Sequence, residues 1–233
     1  EKQRAFAKEL AQNGDCFVHD AFAAAHRAHA STSYIAEHFP HDKMFGPLMM
    51  DELKALDRVM EHPERPLTAI MGGAKVSDKI LLIENLIDRV DRIIIGGGMT
   101  YTFIRAKGGH VGQSLCEEDR IETARLLMEK AAKRGVELLL PEDAVNADRF
   151  DAEAQRNESR TESTPDGWMG LDIGPRARAA FRQAIIDSKT VLWNGPMGVF
   201  EMPAFADGTK AIAEALAEAT QRGTYTLVGG GDS

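Results

Sequence analysis

From Leu67 onward, short apolar runs alternate with longer stretches of helical period, and glycines follow the runs. "LTAIM" (67–71) is followed by "GGAK", "RIII" (92–95) by "GGGM", "TVLW" (190–193) by "NGPMG" and "TYTLV" (224–228) by "GGGDS". No other feature restricts the fold as strongly. A run such as "RIIIG" is apolar throughout, as a strand buried on both faces must be. Strands that alternate with helices build a parallel sheet covered on both sides.

The intervening segments carry helix signals. Ile80, Ile83, Leu86, Ile87 and Val90 share one helical face. A helix around 119–134 ends at Gly135, a suitable C′ residue. Pro175 is placed to open a helix over 174–188, and a further helix over 207–223 stops at a glycine. "VELLLPED" (136–143) reads as one strand, and the polar, aperiodic "RFDAEAQRNESRTESTPDGW" (149–168) as a surface excursion. The expected fold is α/β, a doubly wound, Rossmann-like parallel sheet.

Residues 1–45 read differently. A helix (1–13), a turn at Asn13-Gly14 and a strand "CFVHD" (16–20) come first, and "AFAAAHRAHAS" then leads into a helix. "PLMMDELKALDRVMEHPERP" (47–66) reads as a long helix closed by Pro63 and Pro66. The organisation expected is part of a second α/β domain at 1–45, an interdomain hinge helix at 46–66 and the sheet domain at 67–233. The start "EKQRAFAKEL" is amphipathic and charged, unlike a signal peptide, and reads as the middle of a helix in a larger protein.

Charge and cysteines narrow the function. Lysine and arginine number 28 against 36 acids, a net charge of −8, which disfavours nucleic acid as a partner. Anionic small molecules remain suitable, because local lysines and helix N-termini hold them against the global charge. Cys16 and Cys116 have no close spacing, which argues against a disulfide framework or zinc site and fits a reducing, cytoplasmic setting. No apolar stretch approaches the ~18 residues of a membrane span.

In a parallel sheet every strand-to-helix turn lies on one edge. That edge would collect "GGAK" (72–75), "GGGM" (96–99), "PEDAV" (141–145), "WNGPMGVFE" (193–201) and "GGGDS" (229–233) around one crevice. None matches G-x-x-x-x-G-K-[ST] or a clean G-x-G-x-x-G, so phosphates would be held by other means. Lys75 and Lys79 stand at i and i+4 and would share a face of a helix beginning near Lys75. Two cations there oppose the helix dipole, which an anion would explain better than a solvated basic turn. Asp232 and Ser233 fit either an N-cap or a magnesium site beside phosphates. Glu201 fits either a surface acid or an acceptor for two ribose hydroxyls. Trp193 and Phe200 are expected in the core. Arg27, with His26 and His29 nearby, is a suitable fork for a carboxylate or phosphate.

Taken in order, "DAFAAAHRAHAS", "PERPLTAIMGGAKVSDKI", "IIIGGGMTYTF", "GWMGLDIGP", "LWNGPMGVFE" and "GGGDS" resemble the phosphoglycerate kinases over essentially the whole chain. The resemblance implies two hinged α/β domains, one for phosphoglycerate and one for the magnesium nucleotide, and monomers. It implies phosphoryl transfer from 1,3-bisphosphoglycerate to MgADP, giving 3-phosphoglycerate and ATP, with closure of the hinge excluding water. It implies that Lys75 stabilises the phosphoryl group in flight and that Lys79 binds the nucleotide phosphates. Ala74, Asn194, Pro196, Gly198 and Val199 would line the nucleotide cleft. Gly98, Gly170 and Leu171 would wall the adenine, and Glu201 would hold the ribose. Gly230, Gly231 and Ser233 would surround the phosphates, with Asp232 on Mg2+. Arg27 and His26 would serve the phosphoglycerate. These residues are expected to comprise most of the nucleotide domain and only the end of the substrate domain. A nucleotide-binding module without turnover and a Rossmann-type dehydrogenase are the competing readings.

Overall fold

The computed structural model describes residues 1–230. The chain divides into two compact units, Glu1–His62 and Pro63–Ser233. In the first, α1 (Lys2–Ala11) precedes β1 (Phe17–His19), which pairs in parallel with β2 (Lys43–Phe45), and α2 (Pro47–Met60) follows. Gly46 and Pro47 open α2, and the Asp20 carboxylate accepts the Met49 amide at 2.8 Å. The helix expected after "AFAAAHRAHAS" is only a five-residue 3-10 stretch, Tyr34–His38. The cause is local: the His29 carbonyl accepts the amides of Thr32, Ser33 and Tyr34, and the Thr32 hydroxyl takes the Arg27 carbonyl. Such bonds divert the backbone from a regular helix. The division at 62/63 lies within the expected connector, and α2 belongs to the first unit.

The second unit opens with β3 (Leu67–Met71), α3 (Ile80–Ile87), β4 (Arg92–Ile95), α4 (Thr100–Ala106), β5 (His110–Val111), α5 (Ile121–Lys133) and β6 (Glu137–Leu139). It continues with β7 (Asp143–Ala147), β8 (Arg156–Arg160), β9 (Ser163–Thr164), β10 (Met169–Ile173), α6 (Pro175–Ile186), β11 (Thr190–Asn194), α7 (Asp207–Gln221) and β12 (Tyr225–Gly229). Five strands form a parallel sheet in the order β12-β11-β3-β4-β6. The α/β fold with its parallel sheet is therefore as expected. Ile70, Ile94, Val191 and Trp193 on one face pack against Phe181 of α6 and Ile212 of α7. Ala69, Met71, Ile93 and Ile95, alternating with them, are equally buried.

A second sheet was not foreseen. Three strands, in the order β10-β7-β8, pair antiparallel. Of "VELLLPED", only Glu137–Leu139 is a strand of the parallel sheet; its last residue, Asp143, already begins β7 of the other sheet, after a break at Leu140, Pro141 and Glu142. Part of the expected excursion is strand β8, whose sequence "RNESR" has no apolar residue. It is held by polar bonds instead: the Asn146 amide donates to Asn157 Oδ1 and Ser159 Oγ at 2.8 and 2.9 Å. Hydrophobic periodicity has nothing to register in such a strand.

Candidate functional site

The carboxyl ends of the parallel strands share one edge. From β3 the chain moves outward to β4 and β6, then returns to the other side of β3 as β11 and β12. The reversal between β3 and β11 leaves a crevice, the usual ligand position in an open α/β sheet. A cavity of about 270 Å³ lies there, lined by Lys75, Asp78, Lys79, Asn194 and Gly230. A second cavity, about 500 Å³, adjoins it and is walled by Leu115, Pro141, Phe150, Met169, Leu171 and Val199. Gly73, Ala74 and Pro196 line both, so the two form one trough with a polar and an apolar end.

The seam between the ends is made of backbone. The Gly72 amide donates to the Asn194 carbonyl at 2.9 Å, the Gly73 amide to Pro196 at 3.1 Å and the Gly97 amide to Met197 at 3.0 Å. A Cβ on Gly72 would lie 2.1 Å from the Pro196 carbonyl oxygen. Gly97, at φ +70, would place one 2.5 Å from the Gly73 carbonyl oxygen. These glycines are therefore required by packing of turn on turn. Gly73 differs, since at φ +128 its nearest neighbour to a Cβ is the Lys79 side chain at 3.8 Å.

At the polar end, Lys79 half-buries its side chain and donates to Asn194 Oδ1, while Asn194 Nδ2 donates to the Gly229 carbonyl at 3.0 Å. Lys75 is exposed at the mouth. The helix expected near Lys75 begins instead at Ile80, with Lys79 as its N-cap and 72–78 irregular. The pair therefore meets by lining one cavity rather than by helical spacing. Glu117 secures the loop between them: the Ser77 amide and hydroxyl donate to its carboxylate at 3.0 and 2.6 Å. Burial pushes the Glu117 carboxyl up, but these bonds and the Lys75 charge outweigh it and hold it below the usual carboxylate range. Glu117 carries no motif in the sequence, so only the fold reveals its role.

The apolar end joins the two sheets. The β7–β10 register shifts between Gly170 and Asp172, leaving Leu171 as an unpaired bulge. Bulges redirect side chains beside functional sites, and the freed Leu171 carbonyl accepts the Val199 amide at 2.8 Å. The Gly170 amide donates to Ser114 Oγ at 2.9 Å, and Ser114 bonds the buried Tyr101 hydroxyl. Burial drives the Tyr101 phenol far above its usual value. Asp172, also in this wall, accepts the Gly208 amide in the first turn of α7 at 2.7 Å and the Ile173 amide at 2.9 Å. Burial raises its carboxyl to about 7 against these bonds and the Arg178 charge, with Asp207 adding to the rise. "GLDIG" gave no hint of a buried acid, because a lone aspartate has no pattern.

The trough gathers Ala74, Gly98, Gly170, Leu171, Pro196, Gly198, Val199 and Glu201 at its apolar end, and Lys75, Lys79, Asn194 and Gly230 at its polar end. Trp193 is buried, with its indole N–H on the Gly195 carbonyl at 2.7 Å, and Phe200 is half-buried. Gly231, Asp232 and Ser233 lie outside the described residues. Arg27 and His26 belong to the first unit, are exposed, and bond each other, Arg27 Nε donating to His26 Nε2 at 3.2 Å.

The family model for phosphoglycerate kinase matches residues 1–233. The chain belongs to the phosphoglycerate kinase family. It is 54% identical over 232 residues to a phosphoglycerate kinase of Porphyromonas gingivalis, covering 99% of this chain and 56% of that protein. A chloroplastic phosphoglycerate kinase of Volvox carteri is 54% identical over 228 residues, 98% of this chain and 49% of the relative. Among solved structures, a phosphoglycerate kinase from Coxiella burnetii matches with a TM-score of 0.88 at 42% identity, over 98% of this chain and 58% of that one. One from Pyrococcus horikoshii matches at 0.77 and 27% identity, over 95% of this chain and 59% of that one. The chain spans about half the length of the curated phosphoglycerate kinases it matches.

Among the described residues, no helix is long and apolar enough to cross a membrane.

Proposed function

We propose that this chain supplies the nucleotide side of phosphoglycerate kinase, moving the acyl phosphate of 1,3-bisphosphoglycerate to MgADP to give 3-phosphoglycerate and ATP. The observation that carries this reading is the two-ended trough at the β3/β11 reversal, in a chain of this family. The apolar end has room for a flat base between Leu171, Val199 and the Gly98 turn. Glu201 in the same wall accepts the ribose hydroxyls. The polar end holds the phosphates with Lys79, Asn194 and Gly230, joined by Gly231 and Ser233.

Lys75, at the mouth of the polar end, neutralises charge on the phosphoryl group in transfer. Phosphoryl transfer depends on position and charge more than on covalent help, so lysines in a fixed trough suffice for much of the work. Asp232 would hold Mg2+, and Asp78 is the carboxylate that the described polar wall contributes. One or two protein carboxylates fit a magnesium ion that completes its shell with phosphate and water. Bound there, the metal neutralises phosphate charge. Residues 1–45 belong to the phosphoglycerate side, where Arg27 and His26 meet the substrate, and 46–66 forms the hinge. The protein works as a cytoplasmic monomer that bends at that hinge.

Calorimetry with MgADP and NADH tests the nucleotide reading: MgADP binds and NADH does not. A coupled ATP-forming assay tests turnover, and its failure with MgADP binding intact would leave a nucleotide module alone. Lys75→Ala should lower turnover about 10²–10³-fold, as for loss of one charge-stabilising donor, with ADP affinity changed far less. Equal losses in both would assign Lys75 to ground-state binding.

A further inference from the structure

Three consecutive residues open α4, and all three carry hydroxyls: Thr100, Tyr101 and Thr102. All three are buried. Two are satisfied within the protein. The Tyr101 hydroxyl bonds Ser114, and Thr102 Oγ1 accepts the Glu117 amide at 3.1 Å. Thr100 Oγ1 has no partner, although its residue is only 1% exposed. Its backbone is not at fault, since the Thr100 amide donates to the Gly97 carbonyl at 3.1 Å.

Buried hydroxyls nearly always find a partner, because leaving one unmade costs the full desolvation of the group. Four buried side-chain atoms among the described residues are without a partner: Thr100 Oγ1, Arg120 Nε, Asn146 Oδ1 and Thr161 Oγ1. Of these four residues, Thr100 is the one that lines the trough. It does so at the apolar end, among Leu115, Met169 and Leu171. These side chains offer a flat ring dispersion contact but no polar group. Of the two hydroxyls in this wall, that of Tyr101 is engaged by Ser114, so a ligand ring with a polar edge would meet one unengaged hydroxyl there.

We infer that Thr100 Oγ1 is a base-reading group, which completes its hydrogen bonding only when the edge of a nucleobase enters the apolar end of the trough. The hydroxyl both donates and accepts, so it serves a ring nitrogen or an exocyclic amine. It contributes affinity for the base and nothing for the phosphates. The inference rests on the nucleotide reading of the trough given above.

The experiment compares the wild-type chain with Thr100→Val and Thr100→Ser, using calorimetry with ADP, adenosine and pyrophosphate. Thr100→Val keeps the shape and removes the hydroxyl; it should weaken ADP and adenosine alike about five- to tenfold, an ordinary net hydrogen bond, and leave pyrophosphate unchanged. Thr100→Ser, which keeps the hydroxyl, should stay within about twofold of wild type on all three. Without ligand, Thr100→Val should melt at or above the wild-type temperature, because an unpaired buried hydroxyl has gone. Wild-type affinity for ADP in Thr100→Val would overturn the inference, and so would an equal loss of pyrophosphate. A melting temperature well below wild type would show that the hydroxyl has a protein partner, and would overturn it too. A wild-type chain that binds no ADP would remove the nucleotide reading itself, and this inference with it.

Discussion

The polar end of the trough is walled by turns of one parallel sheet, whereas the apolar end is shared between that sheet and a three-stranded antiparallel one. The ends also differ in how their side chains are held. Lys75 is exposed and Lys79 has one side-chain partner on the far turn, while Tyr101, Ser114 and Gly170 form a buried bonded series. The contrast follows from how the forces decay. Charge attraction falls slowly with distance, so a lysine can act from a loop. Dispersion loses about a quarter to a half of its strength over a gap of roughly 0.5–1 Å, so a surface that recognises a flat ring must be fixed.

The comparison is broken most forcefully at Gly170. A Cβ there would lie 1.5 Å from the Tyr101 hydroxyl oxygen, so this buried ring, which also lines the cavity, would have to shift. Gly170→Ala should cost up to about 3 kcal/mol of stability, as overpacking does, and should weaken adenosine and ADP by the same factor. Thermal melts and calorimetry together read this, and an unaltered adenosine affinity would place the base elsewhere. Lys79→Met should act in the opposite way. Losing one charge-assisted bond costs about 2 kcal/mol, so ADP should weaken about thirtyfold while adenosine binds as before. A matching loss of adenosine would mean that the two ends are one unit.

The smallest effect sharpens the comparison through pH. The Asp172 carboxyl stands at about 7 in the folded chain against an ordinary 3.8. Its folded value is raised, so the stability it contributes is full below about pH 4 and is lost as pH rises through 7. Between pH 6 and pH 7 that loss is about 1 kcal/mol. Asp172→Asn keeps an oxygen for the Gly208 amide and has nothing to ionise, so urea unfolding at the two pH values should give nearly equal stabilities. An unchanged slope in the variant would assign the dependence to another group.

What the sequence revealed follows the same division. The parallel strands were legible because most hold an apolar run, β12 with its threonines least of all, and the edge they share was legible from the glycines after most of them. The lysines were found through their charge, although the spacing argument for them assumed a helix that starts only at Ile80. The antiparallel sheet was hidden. Its strand β8 is polar throughout, and β7, "DAVNA", has only one bulky apolar residue and starts where the expected strand ends. Gly170 and Leu171 were placed at the site by resemblance, but the bulge that sets them there depends on register with β7. Register between strands so far apart in sequence leaves no local mark. Asp172, Glu117 and Thr100 escaped notice for a related reason: each matters through a partner, or the lack of one, that only the folded chain defines.

The glycine turns that meet at the seam have one more implication. Gly72 meets Gly195, and Gly97 meets Gly73, backbone against backbone. Because a Cβ at Gly72 or Gly97 would meet backbone at 2.1 or 2.5 Å, substitution there cannot reshape the seam, which acts as a fixed gauge between the two chambers. A compound that is slim at its waist can carry different groups at either end. One that is thick there is refused, however well each half fits.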